Sequence, residues 1–150
     1  MVECYLGLGS NLGKRRGNIF QALAYLKQDP AIKVLKISSI IETKPQDLSP
    51  QPKFLNAVAK IETSYNAQKL LKRLQQIEVK LGRPSPHPKN HPRSIDLDIL
   101  FYGDSKIDEE NLKIPHPLIG QRDFVVQPLL EVAPELLGTL SRLQKGHFPD

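Results

Sequence analysis

The chain has 150 residues, of which 39% are hydrophobic and 25% charged, and its formal net charge is +5. This composition is typical of a globular protein and excludes an intrinsically disordered chain. No run of about 18 apolar residues occurs, which excludes a transmembrane helix, and MVECYLGLGS lacks the regions of a secretory signal. We therefore expect one domain over residues 1–150, located in the cytoplasm and without membrane contact.

The single cysteine, Cys4, excludes an internal disulfide framework and a multi-cysteine zinc site. Its apolar surroundings are typical of a small buried residue rather than a nucleophile. The positive net charge suits an acidic partner, and charge alone leaves both nucleic acid and a polyphosphate ligand open.

The first predicted elements are a strand, a helix and a second strand. Val2–Leu8 is an apolar strand candidate. GLGSNLG resembles a phosphate-binding glycine loop, but its spacing favours a turn into a helix that Ser10 or Asn11 caps. The helix ends before Pro30. Ile32–Thr43, rich in valine and isoleucine, predicts the second strand. The apolar stripe of the helix consists of Ile19, Phe20, Leu23 and Leu26.

A third strand and a second helix follow the loop TKPQDLSPQPK. Phe54–Glu62 alternates with a period of two, so Phe54 and Asn56 lie on the face opposite its aliphatic residues. The second helix begins after the cap residue Asn66 and ends just before Gly82. Its apolar stripe consists of Leu70, Leu74, Ile77 and Leu81.

The next strand, DLDILF, follows the loop RPSPHPKNHP and carries two aspartates among apolar residues. Asp96 and Asp98 lie on one of its faces, about 7 Å apart at Cα. Leu100 shares that face. The opposite face consists of Ile95, Leu97, Ile99 and Phe101.

The end of the chain adds a turn at Gly103, a strand pair around Ile107 and Ile114, and a helical segment interrupted by Pro128 and Pro134. The whole order predicts an α+β fold: a ferredoxin-like β-α-β-β-α-β core with added strands and helices and a mostly antiparallel sheet. Helices on one face of that sheet leave the other face free for a site.

Two neighbouring carboxylates repel each other unless a cation lies between them. One alternative is a structural role, in which Arg83 or Arg93 forms ion pairs with Asp96 and Asp98. The other is Mg²⁺, which binds through one or two carboxylates together with substrate phosphates. Arginine also matches phosphate oxygens, so the two arginines suit either alternative.

Four further residues leave both a functional and a structural interpretation open. His116 in IPHP either contacts a phosphate or packs. Arg122 and Phe124 offer a cation and an aromatic face, but they equally suit a helix start and a core position. Glu78, on the polar side of its helix, is by itself typical of a solvated residue.

Taken together, these segments resemble the 6-hydroxymethyl-7,8-dihydropterin pyrophosphokinase family. The resemblance runs through GSNLG, ETKP, FLNAV, IEVKLGR, PRSIDLDIL, IPHP and RDFVVQPLLEVAPEL. It implies a transferase of folate biosynthesis that moves diphosphate from ATP to the hydroxymethyl group of 6-hydroxymethyl-7,8-dihydropterin and releases AMP. It also implies a single pyrophosphokinase domain over residues 1–150, a monomer, with other folate-pathway enzymes as candidate partners.

The resemblance also assigns roles to residues. Asp96 and Asp98 would hold two Mg²⁺ ions, and with Arg83 and Arg93 they form the implied catalytic set. The implied ATP contacts are Gln75, Glu78, Arg93, Ile99, Lys113, His116 and Arg122. The implied pterin contacts are Thr43, Lys44, Pro45, Phe54, Asn56 and Phe124. The family usually has glycine or alanine where His91 stands, which bears on loop closure.

Three other functions compete with this one. A DxD pair also occurs in metal-dependent transferases that use nucleotide sugars. An RNA-binding module suits a basic ferredoxin-like sheet, but the aromatic RNP1 pattern is absent and paired aspartates repel a phosphate backbone, so we expect no nucleic-acid partner. A relative that binds without catalysing is the third alternative.

Overall fold

The computed structural model describes residues 1–43, 53–82, 94–117, 119 and 122–144. Its strands are β1 (Val2–Ser10), β2 (Ile32–Ile37), β3 (Ile41–Thr43), β4 (Phe54–Thr63), β5 (Asp96–Tyr102), β6 (Ile107–Glu109) and β7 (Leu112–Ile114). Its helices are α1 (Arg15–Gln28), α2 (Ala67–Lys80), α3 (Asp123–Val132) and α4 (Leu137–Gln144), with a 3₁₀ turn at Pro134–Leu136.

The main sheet has the strand order β2-β4-β1-β5, and β3 also pairs with β4. All of its pairs are antiparallel, and β6 and β7 form a separate hairpin. With α1 after β1 and α2 after β4, this order is that of a ferredoxin-like core. The predicted fold class is therefore confirmed.

The first core lies between one sheet face and the helices α1 and α2. The cap residue Asn66 accepts a hydrogen bond from the backbone N–H of Lys69 at 2.8 Å, as predicted. Cys4 is fully buried in this core, and burial raises the pKa of its thiol to about 12, against a smaller opposing effect of a hydrogen bond with the Gly103 backbone. Its predicted role as a small buried residue is confirmed.

The second core shows that helices cover both faces of the sheet, contrary to the prediction of helices on one face only. Helices α3 and α4 pack against Tyr5, Val58 and Leu100 on the second face. These three side chains are apolar, so leaving them in water would be unfavourable. The second face also carries polar side chains, Asn56 and Asp96 near the end of β1 and Lys60 beside Tyr5.

The structure corrects the predicted start of α1. The helix begins at Arg15 after Lys14, whose side chain makes no cap hydrogen bond, so neither Ser10 nor Asn11 is its cap. Instead, Asn18 donates from Nδ2 to Ser10 Oγ and to the Leu12 carbonyl, at 3.3 and 2.9 Å, and closes the turn.

Two further predictions are wrong in detail. Phe20 is 55% exposed instead of belonging to the core, because Ala22 occupies the buried stripe of α1 in its place. The predicted second strand divides into β2 and β3 at Ser38, whose hydroxyl accepts a hydrogen bond from the Val58 N–H at 2.8 Å.

The face of Phe101 was also predicted wrongly. Pairing between β1 and β5 passes from Leu6–Ile99 to Tyr5–Phe101, which leaves Leu100 as an extra residue. Such a β-bulge interrupts the period of two. Phe101 therefore lies in the second core and contacts Tyr5 edge-on, with ring centroids 6.3 Å apart.

A buried ion-pair network joins α1, β4 and α2 at the end of the sheet away from the aspartates. Asp29 accepts hydrogen bonds from the Ala31 N–H, from Tyr65 Oη and from Arg73 Nε, at 2.8–3.0 Å. Burial opposes ionisation of Asp29, but these donors outweigh it and hold the pKa of the carboxyl below its ordinary value of 3.8.

We expect Tyr65→Phe to lower the free energy of unfolding at pH 7 by about 2 kcal/mol, because it removes a hydrogen bond to a charged group. Because the pKa of Asp29 is lowered in the folded state, the full contribution is present above pH 3.8. It is lost as the pH falls through the folded-state pKa of Asp29. Urea unfolding at several pH values measures it. Tyr25→Phe on α1 is the control, and equal losses in the two variants would contradict the role of the network.

Candidate active site

The candidate site lies on the second face of the sheet, around Gly9 of β1. Gly9 pairs with Asn56 of β4 on one side and with Asp96 of β5 on the other. Paired residues of an antiparallel sheet point to the same face. A Cβ atom at Gly9 would lie 3.1 Å from Asn56 Oδ1 and 3.7 Å from the Phe54 ring. Because Gly9 has no side chain, only its backbone lies between Asn56 and Asp96 on this face.

Asp96 and Asp98 lie on this same face and are half-buried, whereas Ile95, Leu97 and Ile99 are buried in the first core. The predicted alternation of the strand is therefore confirmed for these residues. Among the described residues, no three histidine, cysteine, aspartate or glutamate side chains are grouped to hold a metal. A cation at this pair would need oxygens from a substrate or water, which is the coordination that Mg²⁺ favours.

His116 and Arg122 provide nitrogen donors near Asp96. Burial and, to a smaller extent, the Arg122 charge lower the pKa of His116 to about 4, although the Asp96 charge acts in the opposite direction. Arg122 Nε is buried and has no hydrogen-bond partner within the described part of the chain. Its guanidinium carbon lies 5.7 Å from the centre of the Phe124 ring. A buried donor of this kind suits an anionic ligand.

We expect His116 to remain neutral from about pH 8 down to about pH 5, because its pKa is about 4 instead of 6.5. The unfolded chain would bind this proton first, so His116 makes the native state less stable as the pH falls from 6.5 toward 4. An NMR titration of the ligand-free protein, with His116→Gln for assignment, measures the pKa. A midpoint near 6.5 would contradict the expectation.

Three of the residues assigned to the pterin lie on the β4 side of Gly9: Thr43, Phe54 and Asn56. Asn56 is 8% exposed and donates from Nδ2 to Thr43 Oγ1 at 2.8 Å, which fixes the amide plane. Phe54 is half-buried beside it, and Phe124 of α3 packs at the border of the second core. Two half-buried aromatic rings and a held amide are suited to a flat heterocycle.

Arg15 ties together the two chain segments that bound residues 44–52. Its guanidinium pairs with Glu42 Oε2 at 3.0 Å and donates to the Lys53 carbonyl at 2.7 Å. Thr43 therefore lies beside a cross-linked strand end.

Three other residues assigned to ATP lie on α2, β7 and β5: Gln75, Lys113 and Ile99. Gln75 is exposed on α2 and lines an open surface cavity of about 450 Å³ beside the β6–β7 hairpin. Lys113 is exposed, and its Nζ pairs with Asp108 at 2.6 Å across that hairpin. The Ile99 side chain is 4% exposed in the first core, so its backbone alone could meet a ligand. These ATP contacts stay predictions.

Glu78 differs from the solvated residue that its helix position indicates in isolation. Only 6% of it is exposed, and its Oε2 accepts a hydrogen bond from the Leu97 N–H at 2.9 Å. No local pattern in the sequence reveals this contact, because α2 and β5 are joined only in the folded chain. The close packing around Gly9 was likewise missed, since GLGSNLG was interpreted as a turn or, less favoured, as a phosphate-binding loop.

Four of the predicted site residues, Lys44, Pro45, Arg83 and Arg93, lie outside the described residues, as does His91. In the described part of the chain, no helix has the length and apolar character needed to cross a membrane.

Comparison with known proteins decides the family. Residues 5–134 match the model of the 7,8-dihydro-6-hydroxymethylpterin-pyrophosphokinase (HPPK) family. The chain belongs to this family. The HPPK assignment and the prediction of a pyrophosphokinase of folate biosynthesis are thereby confirmed, and the alternatives of a nucleotide-sugar transferase and an RNA-binding module lose their support.

Several relatives of this HPPK chain span most of it. The 2-amino-4-hydroxy-6-hydroxymethyldihydropteridine pyrophosphokinase of Aquifex aeolicus is 41% identical over 148 residues, covering 99% of this chain and 91% of that protein. Its Bacillus subtilis counterpart is 43% identical over 132 residues, covering 88% and 78%. The folic acid synthesis protein fol1 of Pneumocystis carinii is 45% identical over 144 residues, which are 96% of this chain but only 19% of that protein.

A solved structure supports the fold of the HPPK chain. The crystal structure of Plasmodium falciparum HPPK-DHPS superposes with a TM-score of 0.73 at 16% identity. The superposition covers 97% of this chain and 45% of the other. The present chain thus corresponds to part of some longer relatives and to most of others.

Proposed function

We propose that this chain transfers diphosphate from ATP to the hydroxymethyl group of 6-hydroxymethyl-7,8-dihydropterin, with Mg²⁺ at Asp96 and Asp98. Family membership supports the reaction. The observation that supports the site is the pairing of Gly9 with both Asn56 and Asp96. Two strand spacings, about 10 Å, separate the backbones of Asn56 and Asp96. A pterin ring beside Asn56 would thus direct its hydroxymethyl group toward the aspartates.

The donors present fit two Mg²⁺ ions bound between the aspartates and ATP. Two half-buried carboxylates on one strand face supply hard oxygen ligands, and phosphate oxygens and water would complete the coordination. Bound Mg²⁺ would neutralise charge on the phosphates and align them for in-line displacement. Arg83 and Arg93 belong to the same proposal as further cations for the triphosphate.

The chain itself would hold and orient the two substrates. Phe54 and Phe124 would stack on the pterin, and Asn56, with its amide plane held by Thr43, would read the polar edge of the ring. Arg122 and neutral His116 would donate to phosphate oxygens. The pterin oxygen forms a bond to the β-phosphorus of ATP while the bond between that phosphorus and the AMP oxygen breaks. Positioning and charge neutralisation supply most of the rate in such transfers.

Calorimetry with the pterin and a non-hydrolysable ATP analogue, each with and without Mg²⁺, tests the proposal. We expect tight binding of the nucleotide only with Mg²⁺, together with measurable binding of the pterin. Formation of AMP in a turnover assay separates an active enzyme from a relative that only binds. Failure of both ligands to bind would refute the assignment of the site.

The remaining predictions concern the cell and the assembly. The cytoplasmic location, the monomeric state, the single domain over residues 1–150 and the absence of a nucleic-acid partner stay predictions. Some relatives carry the HPPK segment inside a much longer protein, such as the fol1 protein of which it covers 19%. We propose that other folate-pathway enzymes are the candidate partners of this chain.

A further inference from the structure

The outer edge of β5 is held by a buried carboxylate from α2. Glu78 is 6% exposed, and its Oε2 accepts the Leu97 N–H at 2.9 Å. Leu97 is the residue between Asp96 and Asp98. The only strand of the main sheet that pairs with β5, within the described residues, is β1.

The Leu97 N–H points away from β1 and needs another acceptor. In an antiparallel pair, successive residues alternate between bonding the neighbouring strand and facing outward. The Leu97 N–H faces outward, so the Glu78 carboxylate accepts the hydrogen bond that a neighbouring strand would otherwise accept. A buried carboxylate is unfavourable without such a donor, and a charged acceptor makes a stronger hydrogen bond than a neutral one.

This contact and the aspartate side chains lie on different sides of the strand. Leu97 packs into the first core against α2, whereas Asp96 and Asp98 point to the second face. Glu78 is thus placed to act on the backbone of β5 from the α2 side.

We propose that Glu78 is a positioning residue that sets the spacing and direction of the Asp96 and Asp98 carboxylates through the Leu97 N–H. The proposal rests on the metal-binding role proposed for those aspartates. Small errors in the placement of such groups reduce the rate strongly. Residues that orient metal ligands typically affect affinity or activity 10- to 100-fold when replaced.

Two variants separate the hydrogen bond from the charge. Glu78→Gln keeps the length of the side chain and an acceptor oxygen but removes the charge, so kcat should stay within about threefold of wild type. Glu78→Asp keeps the charge but shortens the side chain, so kcat should fall at least about tenfold. Gln76 is an exposed neighbour on α2, so Gln76→Leu is the control and should leave kcat unchanged. The opposite order, with Asp active and Gln inactive, would overturn the proposal in favour of a charge contact with the ligand.

Two readouts do not depend on turnover. Amide hydrogen exchange of Leu97 should accelerate at least about tenfold in Glu78→Asp and little in Glu78→Gln, while the amides that join β1 to β4 stay protected. Mn²⁺ binding in the presence of a non-hydrolysable ATP analogue, followed by electron paramagnetic resonance, should weaken about tenfold in Glu78→Asp. Unchanged exchange and unchanged Mn²⁺ binding in that variant would overturn the positioning role.

The wild-type protein separates this inference from the proposed function. If wild type binds no Mn²⁺ with the nucleotide analogue, the metal role of the aspartates fails and the positioning role fails with it. If wild type binds Mn²⁺ and all Glu78 variants match it, only the positioning role fails.

Discussion

Asp98→Ala is expected to reduce diphosphate transfer on the order of 10³-fold, because a bound metal ion supplies several kcal/mol of charge stabilisation in such reactions. Asp98 is half-buried on the second face and belongs to neither core. The fold should therefore survive the substitution, with an unchanged circular dichroism spectrum and little change in Tm. AMP release under saturating ATP, pterin and Mg²⁺ measures the effect.

Asp104→Ala is the matched control for this variant. Asp104 is an exposed aspartate in the turn after β5, so its removal takes away one carboxylate of the same strand region without touching the candidate site. Turnover of Asp104→Ala should equal that of wild type. Turnover of Asp98→Ala close to wild type would refute the two-metal proposal.

Gly9→Ala is expected to raise the KM for the pterin about tenfold, which corresponds to about 1.4 kcal/mol. The added methyl group would lie 3.1 Å from Asn56 Oδ1 and 3.7 Å from the Phe54 ring. It would displace the Asn56 amide by a few tenths of an ångström and reduce the space in which we propose the pterin lies. The KM for ATP should change much less, because the methyl group lies on the Asn56 side.

Gly7→Ala is the control for the glycine prediction. Gly7 lies two residues earlier on β1, and its added methyl group would meet the Leu100 side chain of the second core at 3.5 Å, an ordinary van der Waals contact. Steady-state kinetics with both substrates varied should give near wild-type values for this variant. An equal rise of both KM values in Gly9→Ala would indicate a general disturbance of the sheet instead of a specific effect on pterin binding.

Much of the fold follows from local patterns that the sequence displays directly. The alternation of Asp96 and Asp98 with Leu97 and Ile99 fixes which face each side chain takes, because a strand has a period of two. Asn66 as a cap and Gly82, with φ of +98°, bound α2 for equally local reasons. The order of the elements was enough to predict the ferredoxin-like core.

Other features depend on contacts between segments far apart in the chain. The β-bulge at Leu100 turns Phe101 into the second core, and no strand pattern of period two reveals a bulge. The exposed Phe20 on α1 is a second example. The helical pattern of apolar residues does not show which of them face the sheet.

The sequence by itself determined the family, the core topology and the face of β5 that carries the carboxylates, because each rests on residue order and short-range periodicity. Tertiary structure alone decided the surroundings of that face. It placed Gly9 between Asn56 and Asp96, packed α3 and α4 against part of the same sheet face, and brought Glu78 to the Leu97 N–H. The physical reason is that pairing across strands and burial of a polar group depend on residues that meet only when the chain has folded.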